Sequence, residues 1–398
     1  MASQTESVRM RAAPAARMRR RGSIPLLLSG RMDWAFFFIV LVLLSIGLIM
    51  MFSASYVSAY YYKGNSLFYI KRQLAFGVLG VIVMLAASKI DYRIFRVAAW
   101  PLYAVSIVLL VIALLMPEVK GVHRWIYIGP INFQPSEIAK FAVVLLFAHK
   151  ITQKGPTQMK RIGPGFIYFA GLLLPIVFLM VKEPHLSGTL LILGLAAVML
   201  FIGGTNIYLF IAGVIAVGLA AFVVVVHPDI LTVFAKYAGT RIEVWLDPFS
   251  DPLGAGFQTL QSLYAIGSGG LMGAGIGASR QKYLYLPEPY NDFIFAVVCE
   301  ELGFIGATLI LCIFALLVWR GLVIASRCRD RFGSLVAAGL TAQVGIQAIL
   351  NVAVVTNTIP NTGISLPFFS YGGTSLVMLL GEMGIILAIS RAASLEKE

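Results

Sequence analysis

Charged residues are scarce in this chain of 398 residues, where they make up 12% of the sequence while 59% is hydrophobic. The mean hydropathy is +0.87. Soluble domains typically carry about 25% charged residues, so the composition excludes a water-soluble protein built around one core. The apolar residues come in blocks of about 17–25, the length that an α-helix needs to cross a bilayer. We therefore expect a polytopic membrane protein.

Cysteine and histidine are also few. The three cysteines contain no Cys-x-x-Cys pair and none falls in a predicted outer loop, so we expect no disulfides. The four histidines are scattered without the spacing of metal ligands. We also expect no cleavable signal peptide, because the apolar block that begins at Trp34 is too long for a signal-peptide core and has no small-residue cleavage site nearby.

The net charge of +13 is distributed in a way that argues against nucleic-acid binding. Seven arginines precede the first apolar block, and the other basic residues collect in alternate loops, as the positive-inside rule describes. A nucleic-acid interface would instead interleave basic and aromatic residues on one polar face. Residues 1–32 are predicted to form a basic cytoplasmic tail, which either contacts anionic headgroups or serves only as a topology signal.

Ten apolar spans are predicted, an even number that places both termini on one side of the membrane. Twenty of the 31 basic residues fall in the predicted inner segments and ten in the outer ones, which orients both termini toward the cytoplasm. The fold class is an all-α polytopic membrane protein, with a transmembrane domain over 33–391 and a cytoplasmic tail over 392–398. The spans lie at 34–56, 74–90, 95–116, 136–150, 164–181, 187–203, 206–227, 293–319, 334–356 and 366–390.

A large outer loop over 228–292 separates the seventh and eighth spans. A loop of this length in a compact protein is either functional or disordered, and its apolar and aromatic content argues against disorder. The stretch Gly256–Ile266 is predicted to form a short amphipathic or re-entrant helix. Such a helix is tolerated at membrane depth where protein or a water-filled cavity surrounds it.

Acidic residues number only 18, so their positions are informative. Glu288 and Asp292 lie at the outer mouth of the eighth span, and Glu300 and Glu301 lie within it. A carboxylate inside hydrocarbon usually faces a cavity, but Glu300 and Glu301 could instead be structural partners of backbone or arginine. Asp292 is a candidate general base for a sugar hydroxyl. Its alternative role is an N-cap of the eighth helix.

The fourth span opens with charged residues. Glu137 and Lys140 are three apart and share one helix face, so an ion pair there should line a cavity. Arg124, which precedes them, is suited to bidentate phosphate binding, and Trp125 is either part of the cavity or only an interfacial anchor. The Pro- and Gly-rich segment 357–375 is a further candidate, because broken helices at membrane depth typically line binding sites; a Pro-kinked turn is the alternative.

Together these segments resemble the SEDS family, which includes FtsW, RodA and SpoVE. The motifs follow the family's order and spacing from about Asp33 to Ala393. Within the family, the opening stretch 33–55 and the basic tail are closer to FtsW. The resemblance is carried by HRWI at 123–126, QPSEIAK at 134–140, DPLGAGFQTLQSLYAIGSGGLMGAGIG at 251–277, YLPEPYNDFIFAVVCEELGFIGA at 285–307 and PNTGISLPFFSYGGTSL at 360–376.

The resemblance implies a peptidoglycan glycosyltransferase of the bacterial plasma membrane, which polymerises lipid II at the outer face and releases undecaprenyl pyrophosphate. Septal cell division is the expected role, with elongation or sporulation as alternatives. The implied partners are a class B penicillin-binding protein, which supplies the transpeptidase, and divisome membrane proteins. The family's essential aspartate falls on Asp292. The substrate-binding residues that we predict are Arg124, Trp125, Glu137, Lys140, Arg241, Gln258, Ser262, Lys282 and Glu288.

The chain departs from the family pattern at two points. Tyr290-Asn291 stands where His-Thr is frequent before the aspartate. The sequence PHLSGT at 184–189 stands where PDLGT is frequent, so that His185 replaces an acid. If His185 occupies the place of that acid, we expect it to titrate near neutral pH.

The expected mechanism is a single displacement. Asp292 deprotonates a sugar hydroxyl of the acceptor, which attacks the anomeric carbon of the lipid-linked donor with inversion. The leaving pyrophosphate needs cations, and no cofactor is expected beyond a possible role for a divalent cation, Mg²⁺ or Mn²⁺, held by carboxylates. The candidate side-chain cations are Lys140, Arg124, Arg241, Arg280 and Lys282.

Two other functions remain open at this stage, a lipid II flippase and a non-catalytic scaffold that recruits the penicillin-binding protein. Intramembrane charges suit a polar path through the bilayer as well as a catalytic cavity. The outer clustering of the acidic residues and the absence of recognisable inverted repeats favour the enzyme.

Overall fold

The computed structural model describes residues 30–117, 123–128, 131–183, 185–213, 215 and 242–395. Within these residues the chain forms a helix bundle with a short two-stranded sheet. A π-helical turn at Gly163–Ile167 leads into the fifth helix, and residues 207–213 are also helical. The helices are α1 (Trp34–Lys63), α2 (Phe68–Ala87), α3 (Ile94–Leu115), α4 (Pro135–Met159), α5 (Tyr168–Lys182), α6 (Leu186–Gly203), α7 (Phe257–Gly269), α8 (Ile294–Arg327), α9 (Arg331–Val355) and α10 (Gly373–Leu395).

Eight of the described helical segments are long and apolar enough to cross a membrane. They are α1, α2, α3, the π-helical turn with α5, α6, α8, α9 and α10. The predicted class, a polytopic helical membrane protein, is therefore confirmed. Several helices extend beyond their predicted ends: α1 continues to Lys63 and α8 to Arg327.

Helix α4 is not among those eight segments, although it lies at the centre of the bundle. It packs against α3, α6 and α9, and residues 142–148 are all buried. Protein surrounds the first half of α4, so that half tolerates the charged residues Glu137 and Lys140, which pair with each other at 2.8 Å.

The start of α1 meets the ends of α8 and α10. Asp33 caps α1 by accepting a hydrogen bond from the Phe36 amide at 3.0 Å, and it forms an ion pair with Arg320 of α8 at 2.9 Å. The Asp33 amide donates to Ser390 Oγ of α10 at 3.1 Å. Both ends of the described chain therefore lie at the same end of the bundle. Helix α10 runs on to Leu395, beyond the predicted domain end at 391.

A short hairpin precedes α4, which differs from the all-α expectation. Strands β1 (Ile126–Ile128) and β2 (Ile131–Phe133) pair antiparallel, with Tyr127 opposite Asn132. Two short apolar runs flank Gly-Pro in the sequence, which is a hairpin signal that the sequence analysis passed over. The hairpin brings Arg124 and Trp125 close to the first turn of α4.

The predicted short helix in the outer loop is present as α7, and the chain that follows it packs into a break in α8. Gly303 interrupts α8 with a left-handed backbone (φ +67°). The Ala274 amide donates to the Glu300 carbonyl at 2.9 Å, and the Phe304 amide donates to the Gly270 carbonyl at 2.9 Å. The loop backbone therefore forms hydrogen bonds with main-chain amide and carbonyl groups that the break in α8 leaves without helical partners at membrane depth. Part of the predicted loop, 228–241, and part of the seventh span, 216–227, lie outside the described residues.

Candidate active site

A cavity of about 780 Å³ lies where the start of α4, the loop before α8 and the segment 361–376 meet. The C-terminal end of α8 contacts Asp33, so this cavity and the chain termini lie toward opposite ends of that helix. Seven of the ten predicted site residues line the cavity. They are Arg124, Trp125, Glu137, Lys140, Gln258, Glu288 and Asp292.

Asp292 lies in the turn that leads into α8, and its side chain is half-buried. The N-cap position of α8 is occupied by Phe293, so the structure does not support the alternative in which Asp292 caps the helix. The backbone of Gly363 closely approaches the Asp292 carboxylate, since a Cβ atom at Gly363 would lie 3.0 Å from Oδ2. Gly363 has φ +71°, a conformation that side chains disfavour. Glycine therefore leaves room beside the predicted base.

Two loops meet at Gln258 of α7. Its Nε2 donates to the Pro287 carbonyl at 3.2 Å, and its Oε1 accepts from Asn361 Nδ2 at 3.2 Å. The adjoining Glu288 carboxylate accepts a hydrogen bond from Asn291 Nδ2 at 2.8 Å. Gln258 thus connects the loop that carries Asp292 to the segment that carries Gly363.

The backbone around the cavity is strained. Among the described residues, four that are not glycine have positive φ: Leu284, Glu288, Asn357 and Phe368. All four lie in the loops before α8 and after α9, and Glu288 and Phe368 line the cavity. Such conformations cost about 1–3 kcal/mol each and cluster at functional sites, where the surrounding structure enforces them.

Glu137 and Lys140 lie as their spacing predicts, side by side in the first turns of α4. Their ion pair is 2.8 Å long, and the Lys140 side chain is only 5% exposed. Lys140 Nζ also donates to Gln347 Oε1 of α9 at 3.4 Å, and Gln347 Nε2 donates to the Ser365 carbonyl at 3.0 Å. The Lys140 ammonium group is therefore held on the cavity wall by Glu137 of α4 and Gln347 of α9, and the Ser365 carbonyl in turn holds Gln347.

The turn between α5 and α6 holds two buried titratable groups close to Arg124. Burial lowers the pKa of His185 well below its usual value, and the positive charges of Arg124 and Lys140 lower it further. The direction of this pKa shift argues against the expectation that His185 titrates near neutral pH. Burial raises the pKa of Glu183 to about 8, although Arg124 opposes the shift. Glu183, which the sequence analysis missed, is the acid at this turn.

Two of the predicted substrate-binding residues that the structure describes do not line the cavity. Lys282 is fully buried, where its Nζ pairs with Glu301 Oε1 at 2.8 Å and donates to Ser53 Oγ at 3.2 Å. Ser262 is also buried, and its Oγ donates to the Val355 carbonyl at 2.8 Å. The predicted roles of these two residues are therefore corrected to structural ones. Arg241 lies outside the described residues.

Glu300 and Glu301 have the structural role that was one of their two alternatives. Glu300 accepts hydrogen bonds from Ser279 Oγ and from the Arg280 amide, the latter at 2.8 Å. Glu301 accepts from Ser53 Oγ at 2.7 Å and pairs with Lys282. The two carboxylates fix the loop at 279–282 against α1 and α8. The side chain of Arg280 is exposed and does not line the cavity.

Helix α2 contributes two residues that the sequence analysis did not assign to the site. Arg72 lines the cavity, with its guanidinium 4.8 Å from the Phe68 ring centroid. Gln73 is buried, donates to the Ser370 carbonyl at 3.2 Å and accepts from the Gly372 amide at 3.2 Å. Adjacent polar residues at the start of an apolar span were the available signal. Gln73 holds residues 370–372 in a loop, which explains why α10 begins at Gly373 rather than at the predicted 366.

The described lining residues carry charges of both signs. The cations are Arg72, Arg124 and Lys140, and the carboxylates are Glu137, Glu288 and Asp292. The described residues contain no cluster of three or more His, Cys, Asp or Glu side chains that could hold a metal ion. A divalent cation near Glu288 and Asp292 would therefore need ligands from the substrate as well. Mg²⁺ commonly binds in this way, through one or two carboxylates and phosphate oxygens.

The chain is similar to known proteins over almost its whole length. Residues 33–395 match the FtsW/RodA/SpoVE family model, described as "Cell cycle protein". The chain is 44% identical over 360 residues to stage V sporulation protein E of Bacillus subtilis (strain 168), covering 89% of this chain and 95% of that protein. It is 39% identical over 366 residues to a probable peptidoglycan glycosyltransferase FtsW of Trichlorobacter lovleyi, a match that covers 91% of this chain and 94% of that protein.

Solved structures have the same fold. A chain of the structure described as "Structural coordination of polymerization and crosslinking by a peptidoglycan synthase complex" gives a TM-score of 0.72 at 29% identity, covering 91% of this chain and 98% of that one. The rod shape determining protein RodA of Thermus thermophilus gives a TM-score of 0.66 at 25% identity. The match covers 90% of this chain and 97% of that one. The predicted family is confirmed. The chain belongs to the FtsW/RodA/SpoVE family, which is the SEDS family that its motifs predicted.

Proposed function

We propose that this chain is a peptidoglycan glycosyltransferase that polymerises lipid II into glycan strands at the outer face of the bacterial plasma membrane. The observation that carries the proposal is that Asp292 lines one cavity together with Arg124 and Lys140, so a carboxylate and two cations face the same space. A polymerase needs both, because it must remove a proton from the acceptor and stabilise a pyrophosphate leaving group. The names of the FtsW relatives support the same enzyme class.

Asp292 acts as the general base. Its carboxylate takes the proton of a sugar hydroxyl on the acceptor, and the hydroxyl oxygen forms the new bond to the anomeric carbon of the donor. The bond between that carbon and the pyrophosphate oxygen breaks, and the electron pair leaves with the lipid-linked pyrophosphate. Attack opposite the leaving group inverts the anomeric centre. Asn351 and Gln258 hold the two loops on either side of Asp292.

Arg124, Lys140 and Arg72 bind the pyrophosphate. Arginine presents parallel N–H donors to phosphate oxygens, and Lys140 is already oriented by Glu137 and Gln347. Preorganised cations in a site shielded from water stabilise developing negative charge without reorganising. A divalent cation held by Glu288, Asp292 and substrate oxygens would supply further neutralisation of the leaving group.

The full topology has ten transmembrane helices. The eight apolar spans are completed by α4 and by the helix that begins at 207. The contact between Asp33 and Ser390 supports termini on one side, and the distribution of basic residues places that side in the cytoplasm. In this topology the basic tail over 1–32 lies in the cytoplasm and the loop over 228–292 lies outside. The transmembrane domain starts at Asp33 and extends past its predicted end at 391, because α10 continues to Leu395.

The partner is a class B penicillin-binding protein, which crosslinks the strands that this chain makes. Support comes from the 0.72 TM-score to a chain of a complex whose description joins polymerization with crosslinking. Septal division, with divisome membrane proteins as further partners, is the role that the basic tail and the opening stretch 33–55 favour. Sporulation is the second candidate, because the identity to stage V sporulation protein E is 44% against 39% for the FtsW protein of Trichlorobacter lovleyi.

The test is polymer formation by the purified protein in detergent, where no membrane separates two compartments. Incubation with lipid II, with and without a class B penicillin-binding protein, should give glycan strands. A flippase would give no polymer in detergent but would move lipid II across vesicle bilayers. A scaffold would do neither, although it would still form the complex. Either of those two outcomes would overturn the proposal.

A further inference from the structure

A second cavity, of about 380 Å³, lies at the end of the bundle where α1 begins and α8 and α10 end. Its lining includes Arg31, Arg320 and Arg327, together with Asp33 and Ser390. It is far from the site described above, which lies at the beginning of α8. In the proposed topology this is the cytoplasmic end of the protein.

The lining of this pocket keeps a positive charge after its ion pair is counted. Asp33 pairs with Arg320 at 2.9 Å, and Arg327 lies beside that pair. Arg320 Nε donates one bifurcated hydrogen bond to both carboxylate oxygens of Asp33, each at 3.1 Å, and Asp33 Oδ1 also accepts from the Phe36 amide at 3.0 Å. Arg327 is exposed and forms no ion pair with any part of the chain that the structure describes. An anionic ligand would therefore meet a site with excess positive charge.

The pocket also lies at the edge of a surface that faces lipid. Trp34, a lining residue, is 59% exposed, and Phe38, one turn further along α1, is 57% exposed and stacks with it. On α8, Trp319 precedes Arg320 and is 57% exposed. Tryptophan is enriched at the level of the lipid headgroups. The arginines are therefore at headgroup depth, with apolar side chains just beyond them for acyl chains.

We infer that this pocket binds the phosphate of an anionic lipid in the cytoplasmic leaflet. Guanidinium groups match phosphate oxygens in a bidentate geometry, and basic pockets between transmembrane helices on the cytoplasmic side suit anionic headgroups. The bound lipid would bridge the start of α1 and the end of α8, which Arg320 and Asp33 already connect. The inference goes beyond the glycosyltransferase activity and does not depend on it.

Native mass spectrometry tests the inference. The purified protein is equilibrated in detergent with equimolar phosphatidylglycerol and phosphatidylethanolamine, and the lipids that remain bound are counted. The wild type should retain phosphatidylglycerol preferentially. Arg327→Gln should weaken that retention about fivefold, the loss expected for one basic residue near an anionic headgroup. Arg327→Lys should retain most of the preference, because the charge remains.

Arg329→Gln is the matched control, because Arg329 is an exposed arginine on the same end that does not line the pocket. It should bind as the wild type does, and equal retention by the Arg327→Gln and Arg329→Gln proteins would overturn the inference.

Glycerol 3-phosphate at millimolar concentration should fail to displace the lipid; displacement would assign the site to a soluble phosphate instead. If Arg327→Gln does not fold, the wild-type melting temperature decides: it should rise more with phosphatidylglycerol than with phosphatidylethanolamine, and an equal rise would contradict the inference.

Discussion

Asn351 donates a hydrogen bond from its Nδ2 to the main-chain carbonyl of Asp292 at 2.8 Å and a second to the carbonyl of Ile364 at 2.6 Å. The Asn351 side chain is fully buried in α9. One amide therefore fixes both the loop that carries the proposed base and the loop that approaches it through Gly363. The position of the Asp292 carboxylate depends on this arrangement and not only on the start of α8.

Substitution of Asn351 should disturb both loops. Asn351→Ala leaves two carbonyl acceptors without their donor, at a cost of about 1–3 kcal/mol for each buried group. We expect a lower melting temperature and a loss of polymerisation that is larger than the loss of folded protein. Thermal unfolding and the initial rate of glycan synthesis measure the two effects. An Asn351→Ala enzyme with wild-type rate and stability would show that the two hydrogen bonds are not needed.

Gly363 should not tolerate a side chain. A Cβ atom there would meet Asp292 Oδ2 at 3.0 Å, in a backbone conformation with φ +71° that alanine disfavours. Gly363→Ala should therefore lower the polymerisation rate by displacing the carboxylate. Gly267→Ala in α7 is the control, because its Cβ atom would meet nothing within 4 Å and its backbone is helical. We expect the control to be unchanged or slightly more stable, and equal rates for both variants would contradict the predicted contact.

Variants of the Glu137–Lys140 ion pair should separate effects on stability from effects on activity. Lys140→Met leaves the Glu137 carboxylate without its partner, and breaking a buried ion pair costs about 3–5 kcal/mol. The double variant Glu137→Gln with Lys140→Met removes both charges and should regain much of that stability. It should remain inactive, because the cation for the pyrophosphate is absent. Recovery of polymerisation in the double variant would mean that Lys140 serves only to neutralise Glu137.

Glu183 should make stability depend on pH. Its folded-state pKa of about 8 lies above the usual value of 4.5, so the folded protein holds this proton more tightly than the unfolded chain does. The stabilisation is complete below about pH 4.5 and is lost as the pH rises through about 8. The melting temperature should therefore fall across this range in the wild type and fall less in Glu183→Gln. Parallel curves for the two proteins would show that Glu183 does not titrate there.

The sequence predicted the features that depend on local pattern. Apolar blocks of spanning length indicated the helices, and the three-residue spacing of Glu137 and Lys140 placed both side chains on one wall of the cavity. Contacts between side chains that lie far apart in the sequence leave no such local pattern. Lys282 and Glu301 are 19 residues apart, and Lys282 reaches Ser53 across 229 residues. The charge of Lys282 in the outer loop therefore indicated a substrate site, whereas the fold uses Lys282 to hold the loop.

Burial also could not be read from composition. His185 was expected to titrate because imidazole ordinarily does so near neutral pH. Burial in the turn between α5 and α6, together with the charge of Arg124, instead lowers the pKa of the His185 imidazole. The same enclosure raises the pKa of Glu183 and makes an overlooked acid the titratable group. Both outcomes depend on which side chains the tertiary structure brings around the turn.

The central claim is that Asp292 is the base of a glycosyltransferase. The most direct measurement compares glycan synthesis from lipid II by the wild type, Asp292→Asn and Asp247→Asn, each in complex with a class B penicillin-binding protein. Asp247 is an exposed outer-loop carboxylate away from the cavity. We predict polymer from the wild type and from Asp247→Asn, and none from Asp292→Asn although its complex forms and it still binds lipid II. Polymer from Asp292→Asn at a rate near that of the wild type would contradict the account.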